Sequence, residues 1–243
     1  MKSFTRILAM LAATLYGVVT APQLKADTVT IGTATGPSTH VPFGFEDFAG
    51  NSPYQQIYRG TRFGSAPVLI TGLTVFVDTA TAHLGAMNYS NQHVSLSTSA
   101  TAVGAMSSSF AANRGSDFTE VFSGSYTQGF AGFPIDPCPI ADCSATSLSF
   151  SFEPFLYDPS AGDLLMDVSG DGVFNGDHLY FQAGAARDVS SLELGGLFGN
   201  DPIVSIGFGL VTQFEFSAVP LPSPIWMLGA AFGGVLYSRR RVR

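Results

Sequence analysis

The chain of 243 residues is short of charge and of the residue types that carry most catalytic chemistry. Asp, Glu, Lys and Arg make up 12% of it, and it holds two cysteines, four histidines and one tryptophan. Between Asp27 and Glu215 there is no lysine at all. The basic residues of that stretch are Arg59, Arg62, Arg114 and Arg187. Four arginines stand against all eighteen acids, a net charge of −14. So anionic a body repels a phosphate backbone and releases none of its counterions, which excludes nucleic acid as a partner. The histidines His40, His83, His93 and His178 are scattered and fall in no metal-ligand spacing. There is no Gly-x-Ser-x-Gly elbow, and Gly32-Thr33-Ala34-Thr35-Gly36 lacks the nucleophile. No catalytic residue is singled out.

What is present is 46% hydrophobic residues, 27 glycines and 21 phenylalanines, the composition of a turn-rich, strand-rich globule rather than a disordered chain. Apolar residues alternate with period two. In Ser147–Phe152 the serines take one side and Leu148, Phe150 and Phe152 the other. Leu73, Val75 and Val77 alternate in the same way, as do Val94 and Leu96. The longest case is Val204, Ile206, Phe208, Leu210, Phe214 and Phe216. Turns such as Asp158-Pro159-Ser160-Ala161-Gly162-Asp163 separate these segments. About ten segments without a long amphipathic helix predict an all-β domain over 27–218, a single antiparallel β-sandwich of jelly-roll type. Val103, Met106 and Phe110 are spaced three to four apart, so Ala102–Asn113 is expected to form a short helix or helical turn over one end of the sandwich.

The two ends read as addresses. Residues 1–26 have Lys2 and Arg6, the apolar run Ile7–Val19 and small residues before a cut, the pattern of a secretory signal peptide. Cleavage is expected after Leu24-Lys25-Ala26. At the other end, Val219-Pro220-Leu221-Pro222 precedes a short apolar segment within 223–238 and a basic tail, Arg239, Arg240, Arg241 and Arg243. As a helix the apolar core Ile225–Tyr237 spans ~20 Å, a thin anchor for a ~30 Å hydrocarbon layer, with the arginines retained on the cytoplasmic side.

This tail resembles the PEP-CTERM sorting signal of Gram-negative bacteria, also labelled an ice-binding protein C-terminal domain. Leu221 stands where that family usually has glutamate, giving the Val-Pro-Leu-Pro variant. The resemblance implies a sorting motif at Val219, Pro220, Leu221 and Pro222, an exosortase-type protease as processing partner, and membrane attachment through the C-terminal helix. It also implies a location beyond the inner membrane, in the cell envelope or outside the cell, alongside exopolysaccharide. The body is similar to a recurring PEP-CTERM domain in Pro53–Tyr58, Ser95–Thr98, Phe110–Gly115 and Phe155–Asp167, a resemblance that implies no activity.

Within the body, Cys138 and Cys143 are expected to close a small disulfide loop, as befits an exported protein. Asp167, Ser169 and Asp171, followed by Gly172, match the opening of a calcium loop, but its twelfth position is His178 where a bidentate glutamate is needed. A strand ending near Val168, with turns at the following glycines, is the preferred alternative, and no cofactor is assigned. Glu46, Glu120, Glu153 and Glu215 are available for a glycosidase pair, though their spacing selects no two of them. Tyr54, Tyr58, Tyr126 and Tyr157 could line a sugar-stacking groove, but core or edge packing is the preferred reading. The expected function is a non-enzymatic structural or adhesive component of the envelope or extracellular matrix. The alternatives are a glycan-binding module of the exopolysaccharide layer and, less favoured, a secreted hydrolase.

Overall fold

The computed structural model describes residues 26–35, 38–39, 41–43, 53–82, 84–132, 138, 140–175, 179–194 and 201–219, with the backbone alone for 171–175. The expected leader, the tail from Pro220 onward, and His40, Glu46, His83 and His178 lie outside them. Among the described residues no helix is long and apolar enough to cross a membrane.

The described residues form ten strands: β1 (Asp27–Ile31), β2 (Tyr54–Tyr58), β3 (Val68–Phe76), β4 (Gly85–Thr98), β5 (Thr119–Phe130), β6 (Ser147–Tyr157), β7 (Leu164–Asn175), β8 (Ala183–Leu194), β9 (Pro202–Leu210) and β10 (Thr212–Ala218). They form two antiparallel sheets, of order β1-β10-β3-β6 and β5-β4-β7-β2-β8-β9. The chain is thus all-β and sandwich-like, as the alternation predicts.

The main core lies between the sheets. Leu73, Val75, Leu148, Phe150, Val94, Leu96 and Phe214 point into it and are almost wholly buried. Aromatic rings interlock there. Phe214 meets Tyr58 edge-on at 4.8 Å and Phe63 at 5.2 Å, and Phe63 meets Tyr157 at 5.3 Å. Along β6 the even positions Leu148 and Phe150 face inward, but Phe155 and Tyr157 do so further on. The phase flips because the register with β3 slips between Ile70 and Gly72, a β-bulge.

Two sequence expectations need adjustment. The long alternation through 204–216 is not one strand. It breaks at Val211, β9 going to the six-stranded sheet and β10 to the four-stranded one. Because β9 is the outer strand of the wider sheet, Ile206 is 65% exposed instead of joining the core. The helical segment shrinks to one turn, α1 (Phe110–Asn113). It lies over the outer face of the six-stranded sheet, not an end of the sandwich: Met106 packs with Ile57, Leu165 and Leu192 in a second apolar cluster, with Val103 and Phe110 beside them. Strand β2 is therefore buried on both faces. Tyr54 and Tyr58 face the main core and Ile57 the second cluster.

Candidate functional site

Polar chemistry gathers on the outer face of the six-stranded sheet and at its β5 edge. The segment 99–116 crosses that face and is fastened by hydrogen bonds to buried and half-buried side chains. Asp167 of β7 is buried, and its Oδ2 accepts from Gln55 Nε2 at 2.6 Å and from Arg114 Nε at 2.8 Å. Asn113, also buried, donates from Nδ2 to Gln55 Oε1 (3.0 Å) and Ser107 O (2.9 Å). Its Oδ1 accepts from Ser107 N and Thr101 Oγ1, both at 2.9 Å. Asp163 accepts from Gly60 N and Val103 N, each at 2.8 Å. Gly115 passes so close to β4 that a Cβ there would sit 1.9 Å from Thr98 O, so no other residue fits without moving backbone.

This geometry corrects the strand expected to end near Val168, with turns at the following glycines: β7 continues to Asn175. It runs unbroken through Asp167, Ser169 and Asp171, and no sharply turned ligand loop forms there. The Asp167 carboxylate is committed to Arg114 and Gln55, since a buried charge needs a partner. The side chain of Asp171 lies outside the described set. Among the described residues no group of three or more His, Cys, Asp or Glu converges as for a metal ion.

Beside this face, His93 of β4 meets two β5 residues: its Nδ1 is 2.8 Å from Glu120 Oε2 and 3.1 Å from Ser123 Oγ. A serine–histidine–acid relay needs the two partners on opposite ring nitrogens, so that the acid fixes the tautomer whose other nitrogen takes the serine proton. Here both address the same nitrogen. The contact is a surface hydrogen-bond cluster without relay geometry.

An open groove of about 560 Å³ runs between Ser116–Val121 and Glu153–Leu156, at the seam where β5 and β6 face each other. Phe118 and Leu156 are 37% and 59% exposed in its walls, and the Arg114 guanidinium lies 4.6 Å over the Phe118 ring. Of its acids, Asp117 is occupied by Thr98: its oxygens accept from Thr98 N at 2.9 and 3.0 Å and from Thr98 Oγ1 at 2.7 Å. Glu120 and Glu153 bring carboxylates to the groove from different strands. Both were on the sequence's list of available acids. What brings them together is the seam between two sheets, 33 residues apart along the chain, which no local spacing encodes. Glu215 lies on β10, away from this groove.

The tyrosines do not line a groove. Tyr54, Tyr58 and Tyr157 are core residues, and Tyr126 packs against the core. Burial pushes the phenols of Tyr54, Tyr58 and Tyr157 well above the usual tyrosine range. The Tyr58 hydroxyl pairs with Thr212 Oγ1 at 2.8 Å. Cys138 and Cys143 do form a disulfide, in the β5–β6 connection. Asp142, inside this ring, packs against Gly129 of β5, where a Cβ would come within 2.0 Å of Asp142 O.

No protein-family model matches the chain, and no curated protein matches it. Among solved structures, a chain from the structure of infectious bursal disease virus Gt strain is similar at 11% identity and a TM-score of 0.17. The match covers 83% of this chain and 43% of that one, so this chain spans less than half its length. At that TM-score the likeness carries no argument.

Proposed function

We propose that this chain is an exported, non-enzymatic β-sandwich that serves the cell envelope or extracellular matrix as a structural or adhesive component, sorted and trimmed through its C-terminal tail. One observation carries the reading. Among the described residues the first strand begins at Asp27, after the expected signal cleavage site, and the last ends at Ala218, before the Val-Pro-Leu-Pro motif. Such bounds agree with a sandwich domain set between the two proposed addresses. Strands β1 and β10 pair with each other, Asp27 opposite Phe216. The disulfide suits an oxidising compartment. We read the winding as a jelly roll: β1-β10-β3-β6 and β2-β7-β4-β5 take the places of its two four-stranded sheets, with β8 and β9 added beside β2.

Replacing Arg239, Arg240 and Arg241 with glutamine in the producing cell tests the sorting. The expected outcome is a heavier, untrimmed product and altered fractionation, with Asp27 still the mature N-terminus. Unchanged mass and location would remove the sorting role. A second reading, a glycan-binding module, draws on the β5–β6 groove, where the exposed faces of Phe118 and Leu156 adjoin Glu120 and Glu153. A glycan array with and without calcium tests it. Binding lost on Phe118→Ala would favour this reading over a purely structural role.

A further inference from the structure

Among the described residues the sandwich has four outer strands: β1, β6, β5 and β9. An outer strand offers unpaired N–H and C=O groups, and folded proteins blunt such edges with charge, proline or brevity. Three edges here are blunted. β1 has five residues and opens on Asp27. β6 carries Glu153-Pro154, and β5 carries Glu120 and faces β6 across the groove. β9 is different. Its nine residues, Pro202–Leu210, include no charge and no proline after the first position. Among the described residues it pairs with β8 alone. Ile206 is 65% and Ile203 45% exposed, on opposite faces: Ile206 shares its face with Val204 of the second apolar cluster, and Ile203 sits opposite Glu193.

We infer that β9 pairs antiparallel with β9 of a second copy of this chain, extending the six-stranded sheet across a two-fold axis near Val204. The inference goes beyond the export reading and does not depend on it. Charge selects the occupant. A neutral strand offers a charged partner nothing, whereas an antiparallel strand is complementary to itself and the symmetry closes at two copies. The straight part of the strand ends at Ile206, since Gly207 turns left-handed at φ +73°. Centred on Val204, the pairing sets Pro202 opposite Ile206 and Ile203 opposite Ser205, while Asp201 falls opposite Gly207. The two Asp201 carboxylates then lie six residues apart along the seam, roughly 20 Å at the rise of a strand. That is more than two Debye lengths at physiological salt, so two anionic bodies meet with their nearest acids staggered.

Sedimentation equilibrium of the full chain in a mild detergent tests this, with Ile203→Glu and Ile206→Glu beside it. Both side chains are exposed, so circular dichroism should show the fold intact. The expected result is a concentration-dependent dimer that each variant weakens at least tenfold, Ile203→Glu more, because in this register the two introduced carboxylates become diagonal neighbours on one face of the seam. Amide exchange across 202–206 should slow as the wild type dimerises. A wild type that stays monomeric at every concentration would overturn the inference. A dimer that both variants leave intact, as one held by the C-terminal helix would be, overturns it equally.

Discussion

The two faces of the six-stranded sheet are buried by different means. Its inner face meets the other sheet through Tyr58, Phe214, Phe63 and their neighbours, a contact of rings and branched chains with few polar atoms. Among the described residues its outer face is covered by the segment 99–116, which contributes one buried hydrophobic, Met106, and is otherwise held by Asn113, Asp163, Asp167 and Gln55. Apolar packing is non-directional and tolerates rearrangement. A buried hydrogen-bond network specifies one placement of the covering segment and fails abruptly when a member is lost. The inner face should thus set global stability, and the outer face should behave as a separately releasable layer.

The largest effect expected is at Phe214. It is fully buried between Tyr58 and Phe63, and Phe214→Ala should cost about 3–5 kcal/mol. That is a large share of the ~5–15 kcal/mol typical of a domain, and it is read as a shift of the urea midpoint followed by circular dichroism. Exchange should accelerate everywhere, because losing this ring weakens both sheets together.

Asp167→Ala comes next, at about 1.5–3 kcal/mol, since it strips Gln55 and Arg114 of a charged acceptor. Arg114 is 39% exposed and regains water, which keeps the cost below that of breaking a fully buried pair. The pattern discriminates more than the size. Amides of 99–116 should exchange faster while those of β10 keep their protection. Uniform acceleration would show that cover and core form one cooperative unit.

This difference between the faces also marks what the sequence could reveal. The alternation in 147–152 foretold the inward Leu148 and Phe150, because a half-buried strand imprints its two environments on alternate residues. A strand buried on both faces leaves no such imprint. Tyr54-Gln55-Gln56-Ile57-Tyr58 reads as polar and aromatic by turns, yet all five residues are buried. The glutamines are admissible because their amides find partners: Gln56 accepts from Leu210 N at 2.8 Å and donates to Leu210 O at 3.0 Å. The tyrosines looked suited to a sugar surface for the same reason, since nothing local says that Tyr58 will find Thr212, 154 residues away. The groove between β5 and β6 and the meeting of His93 with Glu120 arise from strand order, which residue spacing does not carry. The cysteine pair was legible because its constraint is local: the separation is five residues.

That short separation sets the third expectation. In the loop-entropy picture a ring so small restrains the unfolded chain by about 2 kcal/mol at most. Replacing both cysteines with serine should lower the urea midpoint by no more than that. The loss should concentrate in the β5–β6 connection, where the ring packs on Gly129. A larger, global loss would mean that this connection belongs with the inner core.

The smallest effect should come from Glu193 on β8, which faces Tyr54 of β2 on one side and Ile203 of β9 on the other. Burial pushes its carboxyl above the ordinary 4.5, and its charge in turn helps to raise the Tyr54 phenol. A carboxyl with a raised folded value is better accommodated when protonated. The stability it permits is therefore fully present below 4.5 and declines as pH rises through the raised value, where the folded protein must carry a half-buried charge. Glu193→Gln should remove that decline: stability equal to the wild type in acid, and above it at neutral pH. Measured across pH 4–8, two parallel curves would show that Glu193 is as well hydrated in the fold as out of it, and that the β8–β9 side of the sheet is open to water on its inner face as well as its outer one.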